Sequence, residues 1–123
     1  LKTDILDILN ACCEKRLNEI NIEWSDKKSL CIVLCSKGYP DSYKNNIAID
    51  NLDKIRLNSD EYLFHAGTIN KNNKVYAVGG RVLNFVSISK NFHSAKTNII
   101  NNIERLGWSE GFYRKDIGHK VIK

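Results

Sequence analysis

The chain has no methionine, only one proline and no run of eighteen apolar residues in its 123 residues. Because a membrane-spanning helix needs about 20 apolar residues, the sequence predicts no membrane segment. Without a methionine the chain lacks an initiator, so we expect it to be a fragment of a longer protein. The motifs of zinc peptidases, serine hydrolases, P-loop proteins and dinucleotide-binding folds are missing as well. We therefore predict no catalytic residue and no metal ligand within the chain itself.

The charge balance is positive but not strongly patterned. Nineteen Lys and Arg residues stand against fourteen Asp and Glu, a net charge of +5, which would suit an anionic partner. No cluster of basic residues alternates with exposed aromatic residues along one element, as nucleic-acid-binding surfaces often do. We do not expect nucleic acid as a partner. A non-catalytic basic module that binds a phosphorylated ligand or nucleic acid remains the alternative function.

The four cysteines do not follow a zinc or disulfide pattern. Cys12 and Cys13 are adjacent, and Cys31 and Cys35 lie on one predicted strand, about 13 Å apart at the usual strand rise. Neither spacing matches a zinc-binding knuckle. The cysteines are predicted to be buried free thiols, which favours a reducing, cytoplasmic location.

Two helices are predicted from apolar residues at helical spacing. The first covers Thr3–Ile20 with Thr3 as its N-cap, and the second runs from Asn91 to about Leu106 and ends at Gly107. Between them, Ser29–Cys35 is almost continuously apolar, which is typical of a strand covered on both faces. The fold class is therefore α+β, with a small mixed or antiparallel sheet and flanking helices.

A hairpin is predicted in the middle of the chain. Its strands are Tyr62–Thr68 and Lys74–Ser89, joined by Ile69–Asn73, where two asparagines tolerate positive φ. Gly79 and Gly80 interrupt the returning strand and place Arg81 at a bend. Such a hairpin would bring His65, two glycine turns and Arg81 near one edge, which predicts either a small-anion site or an ordinary sheet with a bulge.

Six charged or titratable residues are candidates for a functional role: His65, Arg81, Arg114, Lys115, Asp116 and His119. An arginine beside a lysine can hold a phosphate, through a fork of donors and a point charge. The alternative is a solvated basic tail. Arg81 either clamps an anion or caps strand carbonyls, and His65 is either a pocket residue or a core histidine.

Four segments in order resemble the C-terminal domain of the phosphoribosylamine–glycine ligase (glycinamide ribonucleotide synthetase) family. They are Cys31–Pro40, Phe64–Thr68, Gly79–Leu83 and Phe112–His119. The opening Leu1–Asp4 also resembles the start of that family's last ATP-grasp helix. A related ATP-grasp carboxylase would share the basic tail but not the Phe-His-Ala-Gly-Thr segment.

The resemblance implies an ATP-grasp ligase of de novo purine biosynthesis. The family joins phosphoribosylamine to glycine through a glycyl phosphate, using ATP and magnesium (or manganese) and releasing ADP and phosphate. Residues 1–23 would be the terminal helix of the ATP-grasp domain and residues 24–123 the C-terminal domain. Nucleotide and metal ligands are expected mainly upstream of Leu1, so this piece alone would be inactive. It would pack against the missing N-terminal and ATP-grasp domains and close the ribose-phosphate side of the active site.

The substrate-binding residues implied by the resemblance are Arg81, Arg114, Lys115 and His65. Arg114 and Lys115 match a basic run that grips the substrate's 5′-phosphate in related enzymes, with Arg81 as a second clamp. We expect these three cations to converge on one phosphate-sized hollow, with His65 shaping its wall. Two positions depart from the family pattern: Asp41 replaces a glycine, and Val78 replaces a polar residue before Gly-Gly-Arg.

Overall fold

The computed structural model describes residues 1–122, and Lys123, the last residue of the predicted C-terminal domain, lies outside that range. No helix in this range is both long and apolar enough to span a bilayer. Two short 3₁₀ turns occur at Leu17–Glu19 and Leu52–Lys54. The other elements, in chain order, are α1 (Ile5–Cys13), β1 (Lys28–Ser36), β2 (Ile47–Ala48), β3 (Glu61–His65), β4 (Thr68–Lys71), β5 (Lys74–Ala77), β6 (Arg81–Ser89), α2 (Phe92–Leu106) and β7 (Gly111–Phe112).

The strands form two antiparallel sheets. The larger sheet has the order β3-β6-β1-β7, and the smaller has the order β2-β5-β4. The predicted α+β class is confirmed, with two small sheets rather than one. β1 and β6 pair along nearly their whole length, and α2 packs across both of them.

The core lies between α2 and one face of the larger sheet. Because side chains alternate along a strand, Leu30, Ile32 and Leu34 of β1 all point towards the helix and are buried. Phe85 of β6 is only 1% exposed and is among the largest fully buried side chains. The apolar stripe of α2 completes the layer with Ala95, Ile99, Ile103 and Leu106.

Helix α2 begins and ends where the sequence predicts. The Asn91 side chain accepts a hydrogen bond from the Ser94 amide at 2.8 Å, which satisfies a donor that the first turn leaves free. Gly107 adopts φ 55° at the other end, a left-handed conformation that glycine enters without a steric cost. The helix position is therefore encoded by its own caps.

The prediction that β1 is covered on both faces is wrong within the described residues. α2 covers one face only, so on the other face Cys31 is exposed and Val33 and Cys35 are half-buried. Two exposed rings of β3, Tyr62 and Phe64, stack with their centroids 6.1 Å apart. Register places these rings on the same face as the two cysteines. We call this surface the open sheet face; its members are Cys31, Val33, Cys35, Tyr62, Phe64 and Phe112.

The predicted hairpin has the right turn but the wrong first strand. Asn72 and Asn73 both adopt positive φ, 51° and 60°, as the turn requires. The strand entering the turn is Thr68–Lys71, which lies in the predicted linker except for Thr68, and it pairs with β5. β3 pairs instead with β6. The chain changes sheets at Ala66–Gly67 and again between β5 and β6, so each predicted run contributes to both sheets.

The first helix is shorter than predicted. It ends at Cys13, because Lys15 takes a positive φ of 60° that interrupts the helical path. The N-cap is Asp4 rather than Thr3, and its carboxylate accepts from the Leu6 amide at 2.8 Å. Ala11 is its one buried residue, while Ile5, Leu6 and Leu9 are each more than half exposed. The apolar face of α1 is therefore uncovered within residues 1–122.

Candidate functional site

Two glycines let the loops before and after the hairpin cross in close contact. A Cβ on Gly67 would lie 2.6 Å from the Arg81 carbonyl oxygen and 2.8 Å from the Gly79 Cα. Both atoms belong to the backbone and cannot move aside, so only glycine fits. The Gly67 amide then donates to the Arg81 carbonyl at 2.9 Å. This crossing fixes the start of β6, where Arg81 lies.

A third glycine brings the loop after β1 against the same turn. A Cβ on Gly80 would lie 2.0 Å from the Tyr39 ring, so the ring occupies the space that a side chain would need. Ser36 holds the Gly79–Gly80 turn through two hydrogen bonds. Its amide donates to the Gly80 carbonyl and its hydroxyl donates to the Gly79 carbonyl, each at 2.8 Å. The Tyr39–Pro40 segment is thereby held next to Arg81.

A groove of about 290 Å³ opens on the open sheet face beside this turn. Its floor is β1 and its walls are the loop after β1 and the C-terminal segment. Apolar groups and thiols form most of the lining, with one charged side chain. We call it the β1 groove; it is lined by Cys31, Val33, Cys35, Tyr39, Pro40, Phe112, Arg114 and Ile117.

Cys35 is a neighbour of both Arg81 and Arg114. Arg81 is the register partner of Cys35, at a bulge between β1 and β6, and Arg114 lines the groove together with Cys35. Burial raises the pKa of the Cys35 thiol, and the positive charge of Arg81 partly offsets that rise. Burial alone raises the pKa of Cys31. Both thiols are therefore held in the neutral form near pH 7, which makes them poor nucleophiles.

Asp116 engages the guanidinium of Arg114 with both oxygens. Nε donates to Oδ1 at 3.0 Å and Nη2 to Oδ2 at 2.5 Å, the fork geometry that arginine also uses for phosphate. The hydrogen bond from Arg114 lowers the pKa of the Asp116 carboxyl, and the pKa of Arg114 is raised in return. Both side chains are exposed. The pair is therefore accessible to an anion that could replace the carboxylate.

Lys115 does not share this groove. Arg114 lines the β1 groove, Tyr113 and Lys115 line a hollow on the α2 side, and Phe112 contributes to both. Lys115 lines a separate hollow of about 320 Å³, whose other walls include Leu34 and residues of α2 and the turn after it. The expected convergence of three cations on one hollow is therefore not observed: Arg114 lines the β1 groove, Arg81 lies outside its lining as the register partner of Cys35, and Lys115 lines another hollow.

His65 lies at the end of β3, outside the β1 groove. Its Nδ1 is 2.9 Å from the Thr68 hydroxyl oxygen, and the ring is exposed rather than part of the core. The bond links the two ends of the Ala66–Gly67 crossing, so His65 supports the turn that contacts Arg81.

Sequence reasoning missed several walls of the groove. The sequence places Tyr39 and Pro40 in the loop Lys37–Tyr43, which it predicts to be either a substrate-facing loop or only a tight corner, and Phe112 in a charged tail. The signal for Arg114 was available, because alternation separates it from Tyr113 once these two residues are taken as extended. Nothing in the sequence indicated Lys96, whose contact with the same tail depends on the fold.

A magnesium site is not formed by the described residues. Among residues 1–122, no group of three or more His, Cys, Asp or Glu side chains could hold a metal ion. The charged groups of the candidate site are two arginines and one carboxylate.

This geometry can be compared with known proteins. Residues 29–120 match the family described as Phosphoribosylglycinamide synthetase, C domain. The chain belongs to this family. The resemblance noted from the four segments is confirmed, and the match covers all four of them.

Relatives of this family align along nearly the whole chain. The phosphoribosylamine–glycine ligase of Brucella melitensis is 36% identical over 123 residues, which are 100% of this chain and 29% of that protein. The bifunctional purine biosynthetic protein purD of Dictyostelium discoideum is 39% identical over 123 residues, 99% of this chain and 15% of that protein. The chain therefore spans less than a third of these relatives' length.

A solved structure supports the fold independently. The crystal structure of phosphoribosylamine–glycine ligase from Thermotoga maritima aligns with a TM-score of 0.64 and 25% identity, covering 89% of this chain and 27% of that one. The basic binding module is consequently not favoured as an alternative, and neither is a carboxylase C-domain.

Proposed function

We propose that this chain is the C-terminal part of an ATP-dependent ligase that joins phosphoribosylamine and glycine into glycinamide ribonucleotide, releasing ADP and phosphate in de novo purine biosynthesis. The names of the relatives and the coverage of the chain by one C-domain family support this. ATP and magnesium (or manganese) would be bound mainly by segments that precede Leu1 in the full-length enzyme. The piece alone would then be inactive.

Residues 1–23 are proposed to belong to the ATP-grasp domain and residues 24–123 to the C-terminal domain. The family match begins only at residue 29, and α1 exposes its apolar face, as a helix separated from its own domain would. The remaining N-terminal and ATP-grasp domains are the proposed partners of α1 and of the open sheet face. A cytoplasmic location is part of the same proposal, because all four cysteines are free thiols, although exposed or half-buried rather than buried as expected.

Arg114 and Arg81 are proposed to bind the 5′-phosphate of phosphoribosylamine at the edge of the β1 groove. The observation that supports this is that Arg81 pairs with Cys35 in register while Arg114 lines the groove with the same residue, since a dianion needs paired cations with several oriented donors. The phosphate would take the place of the Asp116 carboxylate on the Arg114 fork. Lys115 would add positive charge from the other side of the segment. His65 would shape the site by holding the turn through Thr68.

The decisive substitution is Arg114→Ala in the full-length ligase. Losing charge-assisted hydrogen bonds to the phosphate should lower kcat/KM for phosphoribosylamine by about 10- to 100-fold. The KM values for ATP and glycine should stay unchanged, because neither ligand is assigned to this groove. Steady-state kinetics with each substrate varied in turn measure all three values.

Arg105→Ala is the matched control, since Arg105 is an exposed arginine in the last turn of α2. It should leave all three KM values unchanged. If Arg114→Ala keeps the wild-type kcat/KM for phosphoribosylamine, the phosphate site is elsewhere.

A further inference from the structure

Lys96 reaches from α2 to the segment that carries Arg114. Its Nζ donates to the Lys115 carbonyl at 2.8 Å and to the Ile117 carbonyl at 2.9 Å. These carbonyls lie on either side of Asp116, so one ammonium group binds the backbone before and after that residue. Both are charge-assisted bonds, which are about twice as strong as neutral ones.

The remaining backbone around Asp116 is also fixed. The His119 amide donates to the Asp116 carbonyl at 3.0 Å, and the Nδ1 atom of the same histidine lies 2.8 Å from that oxygen. Three consecutive carbonyls, those of residues 115, 116 and 117, therefore have partners. The Asp116 carboxylate, left free by these bonds, holds the Arg114 guanidinium.

This arrangement is a chain of contacts from a rigid helix to the arginine at the groove. Within the described residues Asp116 provides the only ion pair of Arg114. Lys96 holds the backbone on either side of Asp116 through the two carbonyls. A side chain of similar length without donors, such as methionine, would leave two carbonyls unpaired and release the segment from α2. Arginine carries enough donors to bind both carbonyls.

We propose that Lys96 is a positioning residue for phosphoribosylamine binding: it holds residues 115–117 on α2 so that Arg114 stays at the β1 groove. This inference rests on the proposed function of Arg114. Lys96 itself touches no substrate, so its effect passes entirely through the position of the segment.

The test uses the full-length ligase with Lys96→Met, Lys96→Arg and Lys90→Met. Lys96→Met should raise the KM for phosphoribosylamine about tenfold with kcat nearly unchanged, because the phosphate contact is misplaced in the ground and transition states alike. Lys96→Arg should restore most of the affinity. Lys90→Met is the control: among residues 1–122 the Lys90 side chain makes no hydrogen bond, and it lies in the exposed link before α2. It should change nothing.

A double variant separates positioning from general loss of stability. If Lys96 acts through Arg114, adding Lys96→Met to Arg114→Ala should lower kcat/KM by less than about twofold further. Amide hydrogen exchange should also become faster across residues 113–119 in Lys96→Met, with exchange in β1 and β6 unchanged. A full multiplicative loss in the double variant, or uniformly faster exchange, would overturn the proposal.

The kinetic outcomes also distinguish this inference from the proposed function. If Arg114→Ala weakens phosphoribosylamine binding but Lys96→Met does not, the positioning role alone is wrong. If Arg114→Ala has no effect, the phosphate site and the positioning role fail together.

Discussion

Cys35 is a neighbour of both arginines of the candidate site, and the pKa of its thiol depends on the charge of Arg81. Burial raises its pKa and the charge of Arg81 lowers it. Removing that charge in Arg81→Ala should therefore raise the pKa further, reduce the thiolate fraction at a given pH and slow alkylation. Cys31, whose pKa is raised by burial alone, should keep its rate.

The measurement is alkylation by iodoacetamide across pH 7–10, quantified separately for each cysteine by mass spectrometry. In the Arg81→Ala chain the midpoint for Cys35 should move to higher pH, and Arg105→Ala should not move it. A Cys35 profile unaffected by Arg81→Ala would mean that the guanidinium does not lie beside the groove.

At the residue scale, the sequence was a better guide to the residue types of the candidate site than to the direction in which each side chain points. Arg114 and Lys115 were assigned together because they are adjacent in sequence. In the structure only Arg114 of the two lines the β1 groove, and Lys115 lines the hollow on the α2 side. The glycines before Arg81 mark a close backbone crossing, a constraint that is local and visible in the sequence, while the binding role of Arg81 stays a prediction.

At the scale of elements, a buried polar network joins α2 to β3 and the segment before it. The Asn102 side chain is 3% exposed; its Oδ1 accepts from the Arg56 amide at 3.0 Å and its Nδ2 donates to Glu61 Oε2 at 3.2 Å. Glu61 also accepts from the Asn58 side chain at 2.8 Å. Because every member is satisfied, losing one leaves buried groups unpaired.

Asn102→Ala should therefore lower the free energy of unfolding by about 1–3 kcal/mol. Urea unfolding of this chain measures the change, and Asn101→Ala, one residue earlier on the exposed side of the helix, should stay within about 0.5 kcal/mol of wild type. Equal changes in the two variants would show that the network adds nothing to the effect of an Asn→Ala substitution elsewhere in this helix.

The elements that were predicted correctly carry their own boundary signals. α2 has a capping asparagine and a terminal glycine, and β1 has a continuous apolar run. The strand entering the hairpin was misassigned because its pairing depends on the close contact between Gly67 and Gly79. These two glycines lie twelve positions apart in the sequence. Strand pairing of this kind depends on tertiary contacts that local patterns do not contain.

At the scale of the whole molecule, two surfaces each bring several exposed apolar groups together. One is the open sheet face with its stacked rings, and the other is the uncovered face of α1, where Leu6 is 63% exposed. Large exposed apolar patches mark interaction surfaces. The chain spans less than a third of the length of its relatives. Under the proposed function, the other domains of the full-length ligase would cover both surfaces.

Hydroxyl-radical footprinting tests whether the open sheet face is covered in the full-length ligase. Tyr62 and Phe64 are 43% and 54% exposed in this chain, so both rings should oxidise readily when the chain is studied alone. If the preceding domains pack on this face, oxidation of both rings should slow markedly in the ligase. Phe92, half-buried at the start of α2 and packed against the core, serves as the internal reference and should oxidise at the same rate in both proteins. Equal rates for Tyr62 and Phe64 in the two proteins would leave the face open to solvent, and the β1 groove would then need another explanation for its apolar walls.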